Sequence, residues 1–235
     1  MANGKIYKAN AAKVERTKRY AIDEALGVLD TFQNRKFDES IEVAIKLGVD
    51  PKQSDQMVRG ATVLPHGIGK TIRVVAIVRG DAEREAREAG ADFVGNDDLI
   101  EKIAGGWLEF DRVLTTPDVL KDLTKVAKVL GPKGLMPNKK TGTVTTEIGK
   151  GIKEQKLGKV EYKVEKAGIL HAVIGKKSFG PEKLKANFQA LFDSIVKAKP
   201  ATSKGIYIRK VALSPSMGPG IFLDSAALIH KSESA

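Results

Sequence analysis

The 235 residues carry 40 Lys/Arg against 29 Asp/Glu, a formal net charge of +11, with 42% hydrophobic residues and no cysteine. This balance leaves ample material for a core and favours an anionic macromolecule as partner. It excludes disulfides, thiolate metal sites and cysteine nucleophiles, fits a reducing cytosol, and offers no apolar run near the roughly 20 residues needed to cross a bilayer, so no membrane partner is expected.

The first stretch, MANGKIYKANAAKVERTKRY, is basic and lacks an apolar h-region, so it reads as a basic arm and not as a secretory signal. Ala21 to Phe32 places Ile22, Ala25, Leu26 and Leu29 at helical spacing. FDESIEVAIKLGV then alternates, with Ile41, Val43, Ile45 and Leu47 on one face of a strand. Asp50-Pro51 predicts a helix start, with the helix ending near Gly60 and ATVLP forming a further strand. From TIRVVAIVR onward, apolar strands alternate with the helices DAEREAREAG, DDLIEKIAGG and PDVLKDLTKVAKVLG, which predicts a small, mostly parallel sheet with helices on both sides. VEYKVE and GILHAVIG predict a hairpin turning at Lys166-Ala167-Gly168. A helix from Pro181 to about Lys197 presents Leu184, Phe188, Leu191, Phe192 and Ile195 to the core, GIYIRKVALS is a strand, SPSMGPG is a tight loop, and the residues after Asp224 read as a loose tail.

Alternating strands at both ends thus flank a strand–helix block. The end segments, about 65 residues each, are marginal alone, and folding them together resolves this. The expected architecture is α/β in two domains: a discontinuous α+β domain from residues 1–67 and 159–235, and an inserted Rossmann-like three-layer domain from 68–158. Joints near Gly67 and Gly158 would then form a two-strand hinge.

Charge is polarised along the chain. Lys121 to Lys177 holds fourteen lysines against five carboxylates, whereas Asp81 to Asp111 holds three cationic and ten acidic residues. Lys121, Lys125 and Lys128 share one helical face opposite Leu120, Leu123, Ala127 and Leu130, and Lys133, Lys139 and Lys140 carry the charge into a glycine-rich loop read as flexible. Ser214 to Gly220 is a constrained loop offering hydroxyls and a methionine, a suitable contact for an RNA backbone. Catalytic patterns are missing. Gly69-Lys70-Thr71 fails as a phosphate-binding loop because its first glycine position is Leu64, and it precedes a strand. His66, His171 and His230 lie outside metal-ligand spacing of one another, so no metal and no cofactor are expected. His171, mid-strand, should face away from Leu170 and Ala172, either as a half-exposed strand residue or as a contact to a phosphate or 2′-hydroxyl.

Four segments together resemble one family: FDESIEVAIKLGVDPKQSDQMVRGATVLPHGIGK, GADFVGNDDLIEKIAGGWLEFD, KVAKVLGPKGLMPNKKTGTV and SPSMGPG are similar to large-subunit ribosomal protein one, in the right order from about Ala11 to Asp224. The resemblance implies a non-enzymatic, cytoplasmic constituent of the large ribosomal subunit, monomeric outside the ribosome. It implies binding of large-subunit rRNA at the mobile stalk, contact with E-site tRNA as the deacylated tRNA leaves, and repression through the protein's own operon mRNA. Carried over, the RNA contacts are Lys36, Phe37, Ser40, Ser216, Met217 and Gly218 on the two-ended domain. Lys166, His171 and Lys176 join them, with Lys133, Lys139 and Lys140 as auxiliary contacts. Serine at positions 40 and 216 departs from the commoner threonine, keeping the hydroxyl and losing a methyl; the tail beyond Asp224 is longer than typical. Two rival readings are a nonspecific nucleic-acid-binding structural protein and a nucleotide-dependent enzyme, the latter lacking the glycine fingerprint.

Overall fold

In the computed structural model, which describes residues 4–233, the N-terminal stretch is docked. Helix α1 (Lys5–Ala11) buries Asn10, whose Oδ1 accepts the Gln33 N–H at 2.8 Å. Helix α2 (Ile22–Asp30) buries Ile22, Ala25, Leu26 and Leu29, the stripe expected from spacing. Strand β1 (Ser40–Leu47) alternates residue by residue, with Ile41, Val43, Ile45 and Leu47 inside. The helix expected from Asp50 does not form. The Asp50 carboxylate takes the Lys52 N–H at 3.1 Å and the Gln56 amide oxygen takes the Asp50 N–H at 2.9 Å. These local bonds compete with a helix, and only a 3₁₀ turn at Ser54–Gln56 precedes β2 (Arg59–Val63).

The central segment runs β3 (Val74–Ile77), α3 (Asp81–Glu88), β4 (Phe93–Gly95), α4 (Asp97–Ala104) and β5 (Arg112–Thr115). The next helix differs from expectation: Val119–Val126 is 3₁₀, and only α5 (Ala127–Leu130) is α-helical. Thr124 Oγ1 donates to Lys121 O at 2.6 Å, a local bond on a carbonyl the α ladder would use. Val119 and Val126 join Leu123 and Leu130 in the core, while Leu120 and Ala127 stay half-buried. Then follow α6 (Ile148–Lys156), β6 (Lys159–Lys163), β7 (Ile169–Lys176), α7 (Gly180–Lys197), β8 (Ile208–Pro215), β9 (Ile221–Leu223) and α8 (Ser225–Glu233). Of the segment expected to be a loose tail, the last two residues lie outside the described ones and Ser225–Glu233 is helical. Asp224 Oδ1 caps it by accepting from Ala226 and Ala227, and Leu228 packs on the core.

The chain divides into two compact units, Met1–Gly69 with Val160–Ala235, and Lys70–Lys159. The first holds an antiparallel sheet of order β7-β1-β8-β9. One face packs Ile41, Val43, Ile45, Leu170, Ile174, Val211 and Leu213 against α2 and α7, where Phe188, Leu191, Phe192 and Ile195 are buried. The expected β6–β7 hairpin is corrected. Its turn forms, with the Gly168 N–H on Glu165 O at 2.9 Å, but past the Val164–Leu170 bridge the strands part, β6 to β2 and β7 to β1. Tyr162 explains the parting: its hydroxyl reaches Ser194 on α7 at 2.8 Å and its ring lies under Gly60, where a Cβ would stand 2.6 Å from the phenol oxygen.

In the second unit the sheet β4-β3-β5 is parallel and β3 is buried on both faces, as its continuous apolar run predicts. Val75, Ile77 and Val113 pack with α4 and the 119–130 segment. α3 and α6 pack together, with the Gly149 N–H on Glu85 Oε1 at 2.8 Å, and Gly151 lets α6 approach Leu114. Asp111 joins the starts of β3 and β5: it accepts from Lys70 Nζ at 2.6 Å and from the Arg73 N–H at 3.1 Å. The Lys70 hydrogen bond, with those of Arg73, holds the Asp111 carboxyl below its ordinary range despite partial burial. A depressed carboxylate stabilises the fold above the ordinary aspartate pKa of about 4, and that stability is lost as pH falls below it. With Lys70 well exposed, screening limits the effect to about 1 kcal/mol, so Asp111→Asn should lower Tm by about 2–4 °C at neutral pH. The difference should begin to shrink in thermal melts as pH falls below about 4 and be gone only once pH passes below the depressed Asp111 pKa.

Candidate nucleic-acid interface

β1 runs antiparallel to both its neighbours, so its first residue meets their last ones: Ser40 lies opposite Lys176 and Ile41 opposite Pro215. The loop before β1 and the loop after β8 thereby share one end of the sheet. Glu39, buried at 4% exposure, ties them together, its Oε1 taking the Met217 N–H at 3.0 Å and its carbonyl taking the Lys177 N–H at 2.9 Å. Ser40 O accepts the Ser216 N–H at 3.0 Å and the Ser216 hydroxyl at 3.2 Å. Lys176 Nζ donates to Ser40 Oγ at 2.9 Å and to Asp38 O at 3.3 Å. From the far side, Arg35 Nη2 donates to Met217 O at 3.1 Å, and Asp38 accepts from the Ser178 N–H and hydroxyl at 3.1 and 2.6 Å.

On this braced base the protein leaves two large apolar side chains in water, Phe37 at 56% exposure and Met217 at 55%. Lys36 beside them is exposed and, among the described residues, makes no salt bridge. Gly218 completes the turn, its N–H on Pro215 O at 3.1 Å; a Cβ there would stand 2.4 Å from Pro215 Cγ. The arrangement offers a flat aromatic face, a soft thioether, an exposed cation and fixed hydroxyls and backbone groups, which together suit an RNA backbone with an unstacked base.

Seven of the residues singled out from sequence thus converge: Lys36, Phe37, Ser40, Lys176, Ser216, Met217 and Gly218. The others do not join them. His171 is exposed on the open face of the sheet, in register with Ala44 and through it with Ala212. Lys166 is at the far end of β7, about 25 Å along the strand from Lys176. Its turn is held by Lys46 Nζ on Ala167 O at 2.9 Å. Lys166 and His171 line a separate cavity with Lys52, Met57 and Lys163. Lys133, Lys139 and Lys140 are exposed and belong to the other unit. Their loop is closed on itself and not the flexible run expected: the Asn138 side chain takes the Lys140 N–H at 2.8 Å, Thr143 Oγ1 takes the Asn138 N–H at 2.8 Å, and Gly142 turns at φ 68°.

Among the described residues, no group of three or more His, Asp or Glu side chains is placed to hold a metal ion, and no helix is long and apolar enough to cross a membrane. Residues 29–219, from the end of α2 through the 215–218 turn, match the family model described as the ribosomal protein L1p/L10e family. The chain belongs to this family. It is similar to the large ribosomal subunit protein uL1 of Bdellovibrio bacteriovorus, with 55% identity over 224 residues, 95% of this chain and 96% of the relative. The same-named protein of Solidesulfovibrio magneticus is 54% identical over 226 residues, 96% of each. The resemblance carried by the four segments is borne out. The L1 family is one of ribosomal proteins and not of enzymes, which removes the nucleotide-dependent rival.

Several residues that shape this end of the sheet were not singled out from sequence. Glu39 reads as one more charge ahead of a strand, and its burial follows from the Met217 N–H, 178 residues away. Arg35 and Lys177 are likewise used at long range, Lys177 Nζ reaching Phe32 O and Asn34 Oδ1. Lys46 and Lys210 do carry a signal: they pair across β1 and β8, on the parity opposite the buried residues, and so share the open face with His171. At that face's edge Arg19 stacks on Phe222, 4.9 Å from the ring centroid.

Proposed function

We propose that this chain is a structural constituent of the large ribosomal subunit that grips large-subunit rRNA with the braced loops at the Ser40 end of the four-stranded sheet. The observation that carries the reading is the pair Phe37 and Met217, large, apolar and exposed on loops fixed by Glu39 and Ser40. Groups held in place before binding lose little freedom on contact, so exposure on a rigid base favours recognition over accident. Lys36 supplies salt-dependent affinity by releasing counterions, the Ser216 hydroxyl and loop backbone set the register, and Phe37 offers a stacking surface. The RNA would run along the open face toward His171 and Lys166, with Lys46 and Lys210 beneath it.

In this reading the unit built from both chain ends is the RNA-binding domain, and Lys70–Lys159 is an inserted, Rossmann-like domain joined by two chain crossings that act as a hinge. On the mobile stalk, that inserted domain and its Lys133, Lys139 and Lys140 would touch the deacylated tRNA leaving the E site and assist its release. Because recognition rests on backbone shape and 2′-hydroxyls, an operon mRNA folded like the rRNA site would occupy the same groups, which is the basis proposed for translational repression. The protein works in the cytoplasmic ribosome and is a monomer when free of it.

Filter binding of an rRNA stem-loop at varied salt tests the assignments. Lys36→Ala and Lys166→Ala should each reduce the magnitude of the slope of log K against log salt by about 0.7–0.9, one phosphate contact apiece. A slope that does not change removes that lysine from the interface. Competition with duplex DNA addresses the remaining rival: stem-loop RNA should win by at least tenfold, and equal competition would make the protein a nonspecific nucleic-acid binder.

A further inference from the structure

The acidic part of the chain holds an exposed apolar surface apart from the residues assigned above to RNA. Asp81 to Asp111, with ten carboxylates against three cationic residues, reverses the sign of the rest of the chain. Phe93, on β4 and 38% exposed, meets Trp107 edge-on with centroids 4.8 Å apart, and Trp107 rests on buried Phe110 at 5.2 Å. Phe93, Leu99, Lys102, Gly105 and Trp107 line a cavity of about 350 Å³. β4 is an edge strand that pairs only with β3 among the described residues. Its outer side is therefore free to accept another strand, a state that folded proteins usually cover or blunt.

Charge decides what could sit there. Asp98 and Glu101 lie one helical turn before Lys102 on α4 and Gly105 at its C-cap, which places both carboxylates beside the cavity. Glu109 follows Trp107 by two residues. All three are exposed, and among the described residues none makes a salt bridge; Asp97 and Asp92, by contrast, are paired with Arg79 and Lys156. Among the described residues, Lys102 is the one cation lining the cavity. Nucleic acid and anionic lipid would be repelled by this field. An extended peptide with basic side chains satisfies each feature in turn: its backbone pairs with β4, its cations meet the carboxylates, and an apolar residue fills the cavity.

We propose that this face docks a lysine- or arginine-rich protein segment that adds along β4 and seats one apolar side chain between Phe93 and Trp107. The partner is thus a basic protein and not RNA. Trp107 is the single tryptophan of the chain, so its fluorescence reports occupancy directly. Titrating the full chain with the peptide Lys-Val-Lys-Phe-Lys-Val-Lys should shift the emission to shorter wavelength with a saturable curve. The peptide with glutamate at each lysine position should give no shift. Phe93→Ser and Glu101→Lys should each raise the apparent Kd at least fivefold, and Glu101→Lys, on an exposed helix face, should leave the thermal melt unchanged. Equal response to the acidic peptide, or a Kd that neither substitution moves, would overturn the proposal. So would concentration-dependent self-association in sedimentation that the basic peptide cannot compete away, because the occupant would then be a second copy of the chain.

Discussion

Alanine in place of Gly218 should weaken binding of the rRNA stem-loop by about tenfold or more while leaving the secondary structure intact. The added Cβ would stand 2.4 Å from Pro215 Cγ, closer than any real contact. Pro215 is buried at the end of β8 opposite Ile41, so its ring cannot retreat without moving the strand. The 216–218 turn must move instead, which disturbs the Gly218 N–H on Pro215 O and the Met217 N–H on Glu39. Overpacking of this kind costs about 1–3 kcal/mol, and every 1.4 kcal/mol that reaches the bound state is a factor of ten in Kd. Filter binding at one fixed salt, with circular dichroism as control, checks the effect. Affinity equal to the parent would show that the turn's geometry has no part in the grip.

The second large effect belongs to Phe37. Stacking of a base on an aromatic ring is worth about 1–3 kcal/mol, so Phe37→Ala should raise Kd about 5- to 150-fold. More than half of the ring is already in water, so removing it should shift Tm by no more than about 1 °C. Phe37→Trp should keep most of the affinity, because the interaction asks for a flat face and not for a particular ring. This split between affinity and stability separates a contact residue from a packing residue. If Phe37→Ala lowered Tm and left Kd alone, the ring would be part of the core and the site would have to be redrawn.

Much of the fold can be read from period alone. The two-residue alternation of β1 and the 3.6-residue stripe of α7 have local causes, and both match the structure in the positions they bury. The unbroken apolar run at Val74–Ile77 likewise marks a strand covered on both faces. Failures arise where a side chain, at long range or close by, overrides the local pattern. Tyr162 draws β6 to β2 by reaching α7, which no pattern in VEYKVE announces. Gln56 closes on Asp50 and replaces a helix whose start signal, Asp-Pro, is genuine as far as it goes.

The site is less legible still. Phe37 and Met217 are separated by 180 positions in sequence, and it is the antiparallel register of β1 with β8 that makes their loops neighbours. Phe37 came from the family resemblance; physical reading of the sequence pointed to the loop from Ser214 to Gly220 that holds Met217 and to the lysines after Leu130, where charge density is highest. Glu39 shows why charge alone misleads. Its carboxylate is spent inside the protein, organising the loop next to it, while Lys36 three residues earlier is free in solvent.

The most direct test compares two variants of the full chain against one rRNA stem-loop at physiological salt. One carries Phe37→Ala with Met217→Ala; the other carries Lys133→Ala, Lys139→Ala and Lys140→Ala. The strand-end grip predicts at least a fiftyfold loss of affinity for the first and less than threefold for the second. The reverse order, with the lysine variant the weaker binder and the Phe37/Met217 variant near the parent value, would contradict it and place the primary RNA contact on the inserted unit.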